Sequence, residues 1–163
     1  MELKRGISFR KIFTIIYIVS FLAYAAFSFV PADGTAYTID GGLIIPSIGL
    51  TSGVTKLELH DHKLDTPDSI VGSYSQNINK TFLIGHSSTI FKNLYQVKIG
   101  ETITYNNTDY TITSMEIFKK SDIDMKDVLK AEEKDTLAIM TCAGEVMNET
   151  DATHRLIVTA VKD

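Results

Sequence analysis

The 163-residue sequence holds a single cysteine, Cys142. An intramolecular disulfide is therefore excluded, and the lone thiol reads either as a buried packing residue or as a reactive group. A basic stripe is missing too. Of the 16 basic and 20 acidic residues, setting aside the amino-terminal Lys4, Arg5, Arg10, Lys11 and Glu2 leaves 12 against 19, a net charge of −7. That balance offers nothing to neutralise phosphates, so no nucleic-acid partner is expected, and no electrostatic reason to lie on anionic lipid. Internal repeats and low-complexity tracts are also absent. One ordinary domain with a single core, plus an amino-terminal appendage, fits the length.

Charge is missing altogether from Ile12 to Val30. About 17 to 25 apolar residues are what a helix needs to cross a bilayer, and Thr14, Ser20 and Ser28 are tolerable because a helix satisfies its own backbone groups in lipid. Four basic residues precede the segment and the first one after it is Lys56, which points the amino terminus to the cytoplasm. The expected organisation is a cytoplasmic basic tail (1–11), a transmembrane anchor (12–30), a linker (31–36) and an extracytoplasmic domain (37–163). A cleaved signal peptide is the rival, supported by Ala23, Ala25 and Ala26, although a signal's apolar core usually runs about 7 to 15 residues. Either reading leaves Cys142 in an oxidising compartment, where a leftover thiol stands out.

From Tyr37 onward the pattern changes to period two in short runs. Strands are predicted over Tyr37–Asp40, Leu43–Pro46, Val54–Leu59, Thr81–Ile84, Glu101–Tyr105, Tyr110–Phe118, Thr136–Thr141 and Arg155–Val161. Turns are predicted at Asp40-Gly41-Gly42 and Thr51-Ser52-Gly53, with a hairpin at Asn106-Asn107. Many short strands at regular spacing argue for a β-barrel or sandwich. Two short helices are expected at Thr89–Val97, with Phe91, Leu94 and Tyr95 on one side, and at Asp122–Lys130. The second would be capped by Ser121 and present Met125, Val128 and Leu129. Three Asn-x-Thr triplets, beginning at Asn79, Asn106 and Asn148, carry no functional assignment.

Cys142 ends the strand that begins at Thr136, at the step into Ala143-Gly144, a place from which a side chain can leave the core. A thiolate nucleophile needs a base or a positive neighbour. His86 closes the apolar run Thr81–Gly85, and Gly85 permits close approach at a strand end. His154 and Arg155 begin the last strand, and successive side chains point to opposite faces, so only one can face Cys142. Arg155 is the more telling choice, since a permanent charge opening an apolar strand needs a partner or a task such as an oxyanion. His60, Asp61 and His62, with Asp65 and Asp68 nearby, form a weak metal constellation without a third fixed ligand and read as a solvated loop. No metal and no cofactor are expected.

Together these residues carry a resemblance. Phe82-Leu-Ile-Gly-His86, Thr136-Leu-Ala-Ile-Met-Thr-Cys142 and His154-Arg-Leu-Ile-Val158 resemble the three signature stretches of the sortases, membrane-anchored cysteine transpeptidases. Leu43-Ile-Ile-Pro-Ser-Ile-Gly49 resembles the family's early Ile-Pro-x-Ile strand. The resemblance covers about residues 40 to 163 and is to compact, single-domain members. It implies an all-β fold, a closed, mostly eight-stranded barrel with one or two short helices. It implies Cys142 as nucleophile, His86 as the general acid for the leaving amine, Arg155 as the residue that holds substrate and stabilises the oxyanion, and Thr141 as a shaper of the oxyanion site. The segment Lys119 to Lys134 is expected to wall a substrate groove. One departure is Ser87-Ser88 after His86, where many relatives carry Arg.

The reaction implied is cleavage of a Leu-Pro-x-Thr-Gly-like sorting signal through a Cys142 thioester and acyl transfer to an amine of the cell wall or of a pilin lysine. Protein substrates with a carboxy-terminal sorting signal, an amine acceptor and the bacterial cell membrane are the expected partners. Two rivals remain open: a surface cysteine peptidase transferring to water, and a membrane-tethered β-barrel binding module with a structural Cys142.

Overall fold

The computed structural model describes residues 38–60, 63–148 and 151–163. The tail, anchor and linker expected over 1–36, together with Tyr37, Asp61 and His62, lie outside the described residues. Among the described residues no helix is long and apolar enough to cross a membrane.

Among the described residues ten strands carry the fold: β1 (Gly41–Ile45), β2 (Leu50–Lys56), β3 (Leu59–His60), β4 (Lys63–Leu64), β5 (Val71–Asn77), β6 (Lys80–Ile84), β7 (Thr102–Tyr105), β8 (Thr108–Lys119), β9 (Thr136–Asn148) and β10 (Asp151–Lys162). Eight of them close a barrel in the order β1-β2-β5-β6-β9-β10-β8-β7, with β7 returning to β1, while β3 and β4 form a small separate ribbon. The expected all-β, eight-stranded closed barrel is what the chain forms. Closure leaves the sheet without a full-length open edge.

Two of the pairings are parallel, β2 with β5 and β6 with β9. A parallel pair requires a crossover of a dozen residues or more. The first crossover holds the β3–β4 ribbon. The second, from Gly85 to Asp135, holds β7, β8 and a one-turn helix, α1 (Met125–Val128). The β6–β9 register pairs Leu83 with Ile139 and Ile84 with Met140, so both strands finish at the same end of the barrel.

Alternation along β9 divides two apolar clusters. Leu137 and Ile139 point inward to pack with Leu43, Val54, Leu83, Ile112 and Val158. Ala138 and Met140 point outward, where Phe82 joins them and Met125, Val128 and Leu129 cover all three. Phe82 and Leu83 are both fully buried, as expected for a strand packed on both faces. Each such side chain stabilises the fold by about 1.5–3 kcal/mol.

Several sequence expectations shift. Thr38–Asp40 is not sheet; β1 begins at Gly41, and the glycines read as a turn lie inside it. A side chain at Gly41 would collide with Asn106, which accepts from Gly42 N through Oδ1 at 3.0 Å and donates its own N–H to Gly42 O at 3.0 Å. Glycine serves close approach there, not chain reversal. Thr51-Ser52-Gly53 likewise belongs to β2, and the reversal is the 3₁₀ turn Pro46–Ile48. Asn106 and Asn107, with φ of 50° and 63°, do form the hairpin turn between β7 and β8, as the two positive φ values of a type I′ turn require.

The helix at Thr89–Val97 reduces to turns and the 3₁₀ segment Leu94–Gln96; Phe91 and Leu94 are buried but Tyr95 is exposed. Asp122–Lys130 reduces to the single turn α1, whose cap is Asp124, accepting from Lys126 N at 2.9 Å, and not Ser121. Segments this short gain little from propensity and are held by packing. β5, Val-Gly-Ser-Tyr-Ser-Gln-Asn, escaped the sequence reading because its composition is polar.

Candidate active site

The site follows from the registers of three neighbouring strands. Cys142 on β9 stands opposite Arg155 on antiparallel β10. Parallel β6 brings Gly85 level with Thr141, a pairing closed by a hydrogen bond from Thr141 Oγ1 to Gly85 O at 2.8 Å, and His86 follows immediately. Outward alternation from Ala138 and Met140 puts Cys142 on the barrel's outer face. Ile84, Gly85, His86, Met140, Thr141, Cys142, Arg155 and Thr66 line one cavity of about 100 Å³. The three residues expected to act together are therefore brought together.

Each is held locally. A Cβ on Gly85 would fall 2.8 Å from Phe91 Cδ2 and closer still to Ile90, so glycine lets the following loop fold back onto the strand end. That loop closes through Phe91 N to His86 O at 3.0 Å and Thr89 N to the same oxygen at 3.4 Å. The imidazole Nε2 of His86 lies 3.5 Å from Asp68 Oδ1. Arg155 Nη1 donates to Ala152 O at 2.8 Å and His154 O at 2.9 Å, which folds the guanidinium against the β9–β10 hairpin. Cys142 is partly exposed.

Thr141 is buried and its hydroxyl is spent on Gly85. His154 is on the face opposite Arg155, level with Ala143, and its Nδ1 sits 2.7 Å from Thr153 Oγ1. Of the weak metal constellation, His60 lies exposed on β3, 4.0 Å from Glu58, while Asp61 and His62 are outside the described residues. Asp68 belongs to His86, not to His60. No cluster of three metal-ligating side chains occurs among the described residues. The sequence does not announce Thr66 at all, offers Asp68 only beside His60 and His62, and offers Thr89 only as the start of a helix; their meeting with His86 depends on how the loops fold.

A larger groove of about 430 Å³ adjoins the cavity and shares Ile84 and Met140 with it. Its walls are Leu59, Leu64, Tyr74, Gln76, Phe82, Met125, Lys126 and Leu129. Met125 to Leu129 fall in the segment expected to wall a groove.

A thiol, an imidazole and a guanidinium around one small opening on an all-β barrel are the side chains that cysteine acyl transfer calls for. Residues 43–163 match the family profile of the sortase domain, and the chain belongs to the sortase family, the cysteine transpeptidases of surface proteins. No curated protein sequence matches. Among solved structures, sortase C-1 from Actinomyces oris aligns at 20% identity and a TM-score of 0.58, covering 77% of this chain and 73% of that one. Group B Streptococcus Pilus Island 1 sortase C2 aligns at 20% identity and 0.59, covering 79% and 76%. Listeria monocytogenes sortase A aligns at 18% identity and 0.58, covering 77% and 87%. At these identities the likeness is one of fold.

Proposed function

We propose that the protein is a membrane-anchored transpeptidase that cleaves a Leu-Pro-x-Thr-Gly-like sorting signal and joins the released acyl group to an amine. The observation that carries this reading is the row His86, Cys142, Arg155 around a single cavity. The adjoining groove, walled mainly by apolar side chains, suits the Leu-Pro end of such a signal. The uncharged run 12–30 and the basic residues before it support a single-pass anchor in the bacterial membrane, with the amino terminus cytoplasmic and the barrel outside.

In the proposed reaction Cys142 Sγ, as thiolate, attacks the carbonyl carbon of the signal's Thr. The C–N bond to Gly breaks, and His86 gives its proton to the departing amine, leaving a thioester. An incoming amine then attacks the thioester, His86 takes up its proton, and Cys142 leaves as thiolate. Arg155 faces the oxyanion that forms in each step. Since the Thr141 hydroxyl is engaged by Gly85, the contribution of Thr141 to that site comes from its backbone. The acceptor is a cell-wall peptide amine or a pilin lysine, the latter being suggested by the pilus sortases among the structural neighbours.

The test is incubation of the full chain with a Leu-Pro-x-Thr-Gly peptide, with and without an added amine. Mass spectrometry should find a thioester adduct on Cys142 and, with amine, the transfer product. Cys142→Ala should lose both; full turnover by that variant would sink the assignment. Product carrying only water, with amine present, would convert the reading to a peptidase.

A further inference from the structure

We infer that Asp68 is a positioning residue for His86, locked in place by Thr89. This rests on His86 being the proton donor of the reaction proposed above. Three observations converge on it. The carboxylate Oδ1 of Asp68 reaches the imidazole Nε2 of His86 at 3.5 Å. The backbone carbonyl of Asp68 accepts from Thr89 Oγ1 at 2.6 Å. Thr89 N, in turn, donates to His86 O at 3.4 Å. The loop that carries Asp68, between β4 and β5, is thus tied to the turn that follows His86, and Thr66 of the same loop lines the cavity.

The tie specifies which nitrogen does the chemistry. An imidazole has two, and a carboxylate at one fixes both the ring's orientation and the nitrogen left for transfer. The 3.5 Å approach of the Asp68 carboxylate to Nε2 leaves Nδ1 as the nitrogen that gives its proton to the departing amine. The incoming amine later returns a proton to the same nitrogen, so the imidazole ends each cycle as it began.

Asp68 is largely exposed, its side chain retaining 68% of its accessible surface, so ion pairing here adds little stability. Orientation is a separate effect. Small displacement of a catalytic group can cost up to about a hundredfold in rate.

The experiment uses the full chain in detergent with a Leu-Pro-x-Thr-Gly peptide and an amine. Asp68→Ala should lower kcat about tenfold, with KM within about twofold of the parent. Asp68→Asn, which keeps an acceptor oxygen without charge, should fall between the two. Asp68→Glu should restore most of the rate. Thr89→Val, which keeps the shape and removes the tie, should reproduce part of the Asp68→Ala loss, again in kcat. An unchanged kcat in Asp68→Ala, a loss confined to KM, or no rescue by Asp68→Glu would each overturn the inference. Turnover by Cys142→Ala would instead overturn the reaction on which it rests, so the two failures are distinguishable.

Discussion

The two faces of β9 divide the work of the molecule between alternate residues. On the inner face Leu137, Ile139 and Thr141 are buried in the barrel, the first two in the main apolar cluster and the third on Gly85. The outer face begins as a covered patch at Ala138 and Met140 and ends at Cys142 in an open cavity. One-residue steps along the strand therefore move from packing to the candidate site. The difference teaches how a core strand can carry a partly exposed thiol: the inner face fixes the backbone, and the outer face is released from that duty near its end.

Substitutions one position apart should separate these roles. Ile139→Ala removes a fully buried side chain and should destabilise the fold by about 2–5 kcal/mol. Chemical denaturation should show the loss, while kcat and KM of the molecules still folded stay close to the parent. Met140→Ala, on the other face, opens a wall shared by groove and cavity. It should cost stability near the low end, about 2 kcal/mol, and raise KM for a sorting peptide several-fold. Equal KM in both variants would break the contrast between the faces.

Much of this is legible in the amino-acid sequence. Period-two alternation revealed Thr136–Thr141 as a strand, and strand geometry alone required Arg155 and His154 to part, as they do. The uncharged 12–30 stretch was equally plain, although it lies outside the described residues. Other features were hidden for physical reasons. β5 pairs through its backbone and hydroxyls, Ser73 Oγ donating to Thr55 O at 3.2 Å, so it carries no apolar pattern to find. Gly41 and Gly42 look like a turn because glycine signals both reversal and close approach, and only the position of Asn106 decides between them. The parallel β6–β9 pair sets His86 beside Cys142 across more than fifty residues of sequence, and no local rule predicts it. Asp68 meets His86 only because that pairing and the Thr89 tie exist.

The far end of the same strand offers the smallest and most specific test. Just before β9, Asp135 Oδ2 accepts from the Tyr110 hydroxyl at 3.2 Å. Burial, reinforced by the Asp135 charge and hydrogen bond, pushes the Tyr110 phenol up to about 12 from 10.0. A phenol that stays protonated in the folded state but ionises near 10 when unfolded holds more protons folded than unfolded between those values. Its contribution is therefore complete below about pH 10 and is lost as pH rises toward about 12. Tyr110→Phe should cost about 1 kcal/mol or less at pH 7, through the missing hydrogen bond. In denaturant titrations from pH 9 to 12 the variant should show a shallower alkaline fall than the parent, with turnover at pH 7 unaffected because Tyr110 pairs at the end of β8 far from Phe118, the neighbour of Arg155. Parallel alkaline slopes in the two proteins would remove Tyr110 from the account and leave the packing of the inner face as what holds this end of the strand.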